Sequence, residues 1–543
     1  MNFNLIEKPW IRVTDNQCRM KEVSLSDALI HAHRFRALAG ESPAQDAAML
    51  RLLIAIAYTV FYRADADGQV SLLQDEEEAL ERWEKIWRCG QFPTEPIETY
   101  LEKWHDRFDL FDEERPFYQV PQGNIGTPHT AAKLNGTILQ SENKLRIFSN
   151  RTEATSGALS YAEAARWLVY LQGYDDASVK PKTAEGKKNI KSKPGSARGW
   201  LGNLGLIYTV GENLFETIWL NTVLMRDGSE LLGEPRPCWE LPHNRIGEYT
   251  QIPVPDNLAE LFTLQARRVI LKRENNQIIE FAEYCGDLIE QQDAFAEPMT
   301  VWKPVRKKSD IVGYSPRLHT PSRQLWRDFS SLAVQTAENR LPGIVLWLEK
   351  LQDEGCLEDR FYRFTAVTLL YDSSGSSVTN TVSDSLSFHA DLLSKAGEAW
   401  RERIEGQIHF TDKLAEAVGL LAGELAIAAG KRETDNKKVI PPQRMNVAER
   451  AKVQFYFRVD AAFRQWLLLP KVGQGIDETE ALCTRWKETA KSIASAQGQE
   501  LVAEAGEAAF LGRWVKEENS GRMIHYSSAE TYNHFISTVR NTK

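Results

Sequence analysis

The stretch 446-NVAERAKVQFYFRVDAAFRQWLLL-469 decides how the last part of the chain folds. Val453, Phe455, Val459, Ala462, Phe463 and Trp466 return every three or four residues, which places them on one side of an α-helix. Arg450, Arg458 and Arg464 fall largely off that side. A helix with one apolar face gains its stability by packing that face on other elements. Comparable patterns cover 391–405, 411–430, 476–497 and 526–538, so the chain beyond about 385–390 reads as a helical bundle.

Working back from there, the periods mix. Residues 11–13 and 21–25 read as short strands around a turn at Asp15-Asn16. Ser42-Pro43-Ala44-Gln45 is a helix start, with a hydroxyl cap, proline at the first helical position and Gln at the third reaching back. Residues 76–87, 97–104, 161–172, 328–338 and 343–352 read as further helices, and 213–224 fits a strand or a helix. Residues 261–271 and 276–281 flank Asn275-Asn276 as a hairpin. Residues 361–371 alternate as a strand that ends in the turn Asp372-Ser373-Ser374-Gly375-Ser376-Ser377. The span 173–205 has no period and reads as a long loop, and a second basic loop follows Val301-Trp302. Loops of such length are usually functional or disordered. The fold class is therefore α+β, with a large mixed α/β part before the bundle.

The chain has 543 residues, several domains' worth. It is 42% hydrophobic and 10% aromatic with fifteen Trp, which argues against a disordered chain. Cysteines at 18, 89, 238, 285, 356 and 483 form no C-x-x-C pair, so zinc ribbons and thioredoxin-like sites are not expected. Scattered thiols fit a reducing compartment. The start, MNFNLIEKPW, has no basic segment followed by an apolar one, and the longest apolar-rich run, 52–62, is about half a membrane span. A soluble, cytoplasmic protein without a membrane partner is expected.

No phosphate loop, H-E-x-x-H helix or nucleophile elbow is present. Gly199-Trp200-Leu201-Gly202-Asn203-Leu204-Gly205 has the wrong spacing for a dinucleotide loop; its glycines suit turns or close backbone approach. His31 and His33, flanked by Arg34 and Arg36, read as satisfied structural residues. The expectation is no catalytic residue, no metal and no cofactor.

Charge is the stronger signal. The formal net charge is −9. Three stretches run against it. Residues 177–199 carry Lys180, Lys182, Lys187, Lys188, Lys191, Lys193 and Arg198 against Glu185, a local +6. Residues 302–327 carry Lys303, Arg306, Lys307, Lys308, Arg317, Arg323 and Arg327 against Asp310, again +6. Residues 431–471 hold ten basic and four acidic residues, also +6, which leaves −27 for the remainder. One such stretch is most simply a solvated loop; three on an acidic background point to nucleic-acid phosphates, whose neutralisation releases counterions.

These residues carry a family resemblance. The opening Asn4-Leu5-Ile6-Glu7-Lys8-Pro9-Trp10-Ile11-Arg12-Val13 resembles that of CasA, the large subunit of the type I-E CRISPR Cascade complex. Arg115-Pro116-Phe117-Tyr118-Gln119, the 199–205 segment with Leu220-Asn221, and Glu297-Pro298-Met299-Thr300-Val301-Trp302 agree in order. Tyr314-Ser315-Pro316-Arg317 and Leu325-Trp326-Arg327 continue the last block. The resemblance implies a mixed α/β domain, here 1–388, and a C-terminal four-helix bundle, 389–543. It implies a non-catalytic subunit that recognises a protospacer-adjacent motif (PAM) in duplex DNA, promotes strand opening and docks a helicase–nuclease. Other Cascade subunits and the crRNA 5′ handle are further implied partners.

By position, the resemblance puts the PAM and duplex loop in 175–199, with Ala177, Ser178, Lys180, Lys182, Lys187, Lys188 and Lys191. A contacting lysine would be Lys303, Lys307 or Lys308. The strand-parting turn would be 372–377, where relatives place Gln or Asn at the tip and this chain has Ser373, Ser374 and Gly375. Either neighbouring residues or the turn's backbone would then part the strands. Phe148, Ser149, Asn150 and Arg151 would meet the RNA 5′ handle; Lys437, Lys438, Arg444, Arg450 and Arg458 would hold the displaced strand. Two other classes compete: a metal-dependent nuclease with an unrecognised site, and a cytoplasmic scaffold whose basic loops bind acidic partners.

Overall fold

The computed structural model describes residues 2–121, 128–136, 157–177, 198–241, 250–336, 338–357, 359–430, 442–516 and 522–543, with backbone only at 250, 251 and 442–446. The chain divides into two compact units. The first comprises Met1–Thr320, Ser331–Glu358 and Tyr362–Ser385; the second comprises Pro321–Ser330, Asp359–Phe361 and Leu386–Lys543.

The first unit is built around the helix Pro43–Arg63, buried on nearly every side. Ser42 caps it by accepting from the Gln45 amide at 3.2 Å. The Gln45 side chain reaches back past the cap, taking the amide of Glu41 at 2.9 Å. Against this helix lies an aromatic cluster. Trp83, on the helix Glu76–Cys89, stacks on Trp87 and Trp219 with ring centroids 5.3 and 6.1 Å apart. Trp83 and Trp219 also donate their indole N–H groups to each other's backbone carbonyls, at 3.1 and 3.0 Å. Burying such rings with their N–H groups satisfied combines large apolar area with no polar penalty.

The sheets are small. Ile11–Asp15 sits between Met20–Val23 and Phe35–Leu38, all antiparallel. The Asn275-Asn276 hairpin forms between Arg267–Glu274 and Gln277–Cys285, with both asparagines at positive φ as a tight two-residue turn requires. Its first strand starts later than the periodicity suggests, because Asn257 caps a short helix, Leu258–Phe262, first. The ambiguous 213–224 contains a helix, Leu214–Leu220, capped by Asn213. Among the described residues of 328–338, the α-helix covers Phe329–Ala333, following a 3-10 turn at Leu325–Asp328.

The second basic loop is a correction. Residues 302–316 form an antiparallel hairpin, Trp302–Lys307 against Asp310–Pro316. Its lysines hide the alternation, since they occupy exposed positions on a ribbon whose buried ends are Trp302 and Pro316.

In the second unit four long helices form a bundle: Glu398–Ala428, Pro442–Leu467, Ile476–Glu504 and Ser528–Asn541. The two helices expected at 391–405 and 411–430 are one, starting at Glu398, because a lone Gly406 does not end a helix whose Ile408 and Phe410 continue the buried face. On Pro442–Leu467, Phe455, Val459, Phe463 and Trp466 are buried as expected, whereas Val453 is half exposed. Residues 321–330 join this unit: Trp326 stacks on Phe463 at 4.3 Å and donates to Asp460 at 2.9 Å.

One buried ion pair ties the first unit together. Arg51, on the core helix, makes two parallel bonds of 2.8 Å to Glu297. The same carboxylate accepts from the Trp200 indole at 2.7 Å and the Met299 amide at 3.0 Å. Both charges are essentially solvent-free. Removing one charge of such a pair strands the other in low dielectric. Glu297→Gln is expected to lower stability by about 3–5 kcal/mol, read as a shift in the urea midpoint followed by Trp fluorescence. A change below about 1 kcal/mol would show that the pair is dispensable.

Candidate nucleic-acid interface

The interface starts at the helix Tyr161–Tyr174. Ser160 and Glu163 form a reciprocal capping box at its start. Its exit is fixed by Arg267, which is fully buried, pairs with the Asp175 carboxylate and donates to the Asp176 carbonyl at 2.7 Å. Gln172 secures the same strand, bonding both the amide and the carbonyl of Arg267 at 2.8 and 2.9 Å.

The chain leaves the described residues after Ala177 and returns at Arg198. Both ends are pinned beside the 372–377 turn. The Ala177 amide donates to the Gly375 carbonyl at 2.7 Å, and the Gly199 amide donates to the Asp175 carbonyl at 3.0 Å. The guanidinium of Arg198 lies 4.4 Å from the ring centroid of Tyr371. Tyr371 is oriented in turn by donating to the Tyr174 carbonyl at 2.6 Å. Burial pushes the Tyr371 hydroxyl well above the usual tyrosine range, so it stays protonated as that donor.

Glycines make this convergence possible. A Cβ on Gly199 would collide with the carbonyl of Gly173, and one on Gly205 with the carbonyl of Arg317. At Gly202 it would fall 2.6 Å from the Tyr371 hydroxyl. The Gly-rich segment is thus a close-approach element. From Gly205 the chain enters the strand Leu206–Val210, which pairs with Phe361–Tyr371 from Val367↔Leu206 to Arg363↔Val210. That register carries Arg198 toward the end of the strand where the turn begins. The hairpin of Lys303, Lys307 and Lys308 is stitched to the same segment at its base. The Val301 amide donates to the Gly205 carbonyl at 3.1 Å, and the Arg317 amide donates to the Val301 carbonyl at 2.9 Å.

The turn is self-braced. The Gly375 amide donates to the Asp372 carbonyl at 2.9 Å, and the Asp372 carboxylate accepts from the Ser374 hydroxyl and the Ser376 amide. These donors, Ser374 foremost, hold the Asp372 carboxyl below its usual range. Gly375 has φ +73°, and a Cβ there would lie 3.0 Å from Arg198 and 3.1 Å from Ala177.

Of the residues singled out in sequence, the structure brings Ala177 together with Ser373, Ser374 and Gly375. Ser178, Lys180, Lys182, Lys187, Lys188 and Lys191 lie outside the described residues, as do Phe148, Ser149, Asn150, Arg151, Lys437 and Lys438. Lys303 and Lys307 are exposed on one hairpin strand, opposite Ser315 and Asp310, and Lys308 is in the turn at φ +59°. Arg444 is on the helix Pro442–Leu467, and Arg450 is exposed on it. Arg458 is 2.5 Å from Glu500, whose bond raises the Arg458 pKa.

Pairing also changes the charge count. In 302–327, Arg306 pairs with Glu338, Arg323 with Asp328 and Arg327 with Asp412. In 431–471, Lys452 pairs with Glu416 and Glu449, Arg464 with Asp460 and Lys471 with Asp359. Much of the formal positive charge in those two stretches is therefore already met by carboxylates. Sequence reading counted Arg198 among the basic residues but gave it no role; its only signal was its place beside the Gly-rich segment. His31 and His33 pack edge to face at 6.4 Å, and the buried Nδ1 of His33 has no hydrogen-bond partner, so that residue is not fully satisfied. Among the described residues no three His, Cys, Asp or Glu side chains converge as a metal site.

The family model of CRISPR-associated protein Cse1 matches residues 4–497. The chain belongs to the Cse1 family. A Cse1-family protein of Thermus thermophilus, CasA/Cse1, is 30% identical over 438 residues, 79% of each chain. The crystal structure of Thermobifida fusca Cse1 superposes with a TM-score of 0.81 at 27% identity, covering 100% of this chain and 98% of that one. A chain of a CRISPR RNA-guided surveillance complex shares the Cse1 fold at 17% identity, with a TM-score of 0.66, over 99% of this chain and 100% of that one.

Gly375→Ala is expected to lower stability by about 1–2 kcal/mol, because a side chain at positive φ is strained and Arg198 and Ala177 leave it no room. Hydrogen exchange should localise the loss to 372–377 and the adjoining ends at 177 and 198. Unchanged exchange there would mean that the turn is not clasped.

Proposed function

We propose that this chain is the non-catalytic large subunit of a type I-E CRISPR Cascade complex. In that role it recognises the PAM in double-stranded DNA, promotes strand opening and R-loop formation, and helps recruit the helicase–nuclease for antiviral defence. Family membership supports this reading. The observation that supports it is the meeting of Ala177 and Arg198 with Gly375 of the 372–377 turn.

The chemistry follows from the residues. Lysines 180, 182, 187, 188 and 191 meet backbone phosphates, a contact that releases counterions and carries no sequence information. The small Ala177 and Ser178 let the backbone approach a groove edge, and Lys303 on the neighbouring hairpin adds a donor. A minor-groove reader sees a degenerate pattern, which gives a tolerant PAM. With Ser373, Ser374 and Gly375 at the tip, the turn's braced backbone parts the strands without a long side chain. Guide RNA then reads the sequence by pairing, the division of labour known in another effector class. The RNA 5′ handle would meet residues 148–151, and Lys437, Lys438, Arg444, Arg450 and Arg458 would hold the displaced strand without sequence preference. Other Cascade subunits, the crRNA and the helicase–nuclease are the partners of this role.

The test is R-loop formation by the guide-loaded complex, with and without this chain, over a randomised PAM library. Omission is expected to abolish PAM-selective R-loops. PAM selectivity that survives omission would refute the assignment, and metal-dependent cleavage by the chain alone would move it to the nuclease class.

A further inference from the structure

We propose that Arg198 is a phosphate-binding residue that takes a backbone phosphate of duplex DNA at the 372–377 turn. The inference rests on the DNA-checking role proposed above and adds a contact that sequence reading did not assign.

Other buried arginines of the first unit have carboxylate partners: Arg51 with Glu297, Arg166 with Glu22, Arg267 with Asp175 and Arg268 with Asp287. Arg198 does not follow that pattern. It is half buried, its Nε is shielded from solvent, and among the described residues it has neither a hydrogen-bond acceptor nor an ion-pair partner. Its one contact of note is the Tyr371 ring, which fixes the plane of the guanidinium and leaves its edge unused. Its Nε is shielded from solvent without an acceptor, a cost that an arriving anion would relieve.

The surroundings suit a phosphate. Gly375 keeps a side chain off that edge: a Cβ there would press on Nη2 at 3.0 Å and on Nε at 3.1 Å. The nearby acids are engaged elsewhere, Asp175 with Arg267 and Asp372 with Ser374 and Ser376. Planar guanidinium against phosphate is a two-bond, geometrically specific contact. Placed at this turn, it would anchor the duplex at the position where strands part.

The test measures affinity of the full chain, alone and in the guide-loaded complex, for a 30-base-pair duplex across a potassium chloride series. Arg198→Gln is expected to weaken binding on the order of tenfold at low salt. It should also reduce the slope of log affinity against log salt by about one, the loss of one phosphate contact. Arg198→Lys, which keeps the charge without the fork, should retain the slope and fall between the two in affinity. The Lys187→Glu, Lys188→Glu, Lys191→Glu triple variant is the reference for the DNA-checking role. If the triple variant weakens binding while Arg198→Gln changes neither affinity nor slope, Arg198 only braces Tyr371 and the proposal fails alone. If neither weakens binding, the DNA-checking role fails with it. If Arg198→Gln removes thermal stabilisation by inorganic phosphate at matched ionic strength but leaves the DNA slope intact, the site takes free phosphate and the proposal is overturned. Should Arg198→Gln unfold, the Arg198→Lys slope and affinity decide: wild-type affinity at every salt overturns the two-bond contact.

Discussion

The first unit depends on one buried carboxylate. Glu297 holds Arg51 of the core helix, the indole of Trp200 and the amide of Met299. Those three partners come from the core, from the Gly-rich segment and from the block that leads into the lysine hairpin. Fixing them on one carboxylate fixes the path of the chain from Arg198 through Gly205 and the start of the hairpin at Trp302. A buried ion pair adds little net stability compared with apolar packing, but breaking it is expensive, so it acts mainly to hold one arrangement. The clasp on Gly375 follows from it by short covalent links and backbone bonds.

Charge then acts locally. A net of −9 suits a protein that should not hold DNA indiscriminately. Many basic residues of the second and third stretches face carboxylate partners, as Arg306 does with Glu338 and Arg458 does with Glu500. Lys303, Lys307 and Lys308 on the hairpin and Arg198 beside the turn are set apart from that pattern. In the proposed role, such a distribution would give duplex binding that is weak, salt-sensitive and confined to one geometry.

How much of this was legible in sequence depends on the range of the interaction. Local signals read well: Ser42-Pro43 starts the core helix, Asn275-Asn276 turns a hairpin, and the 372–377 turn lies where the strand alternation stops. The alternation of 302–316 was masked because lysines and arginines fill the exposed positions of a short ribbon, so charge density hid the strand period. The gap assumed between 405 and 411 failed because a single glycine, Gly406, costs a helix only about 1 kcal/mol and Ile408 and Phe410 continue the buried face. The Arg51–Glu297 pair, 246 residues apart in sequence, has no local signature. Nor has the meeting of Arg198 with Gly375, which only the register of Leu206–Val210 against Phe361–Tyr371 reveals.

The central claim is that the turn clasped by Ala177 and Arg198 meets DNA where the duplex opens. The direct measurement places a photo-cross-linker at Ser374 in the guide-loaded complex and maps its adducts on a PAM-bearing target. The account predicts adducts within a nucleotide or two of the junction between PAM and protospacer, lost when the PAM is mutated. Adducts spread along the duplex, or confined to protein, would contradict it.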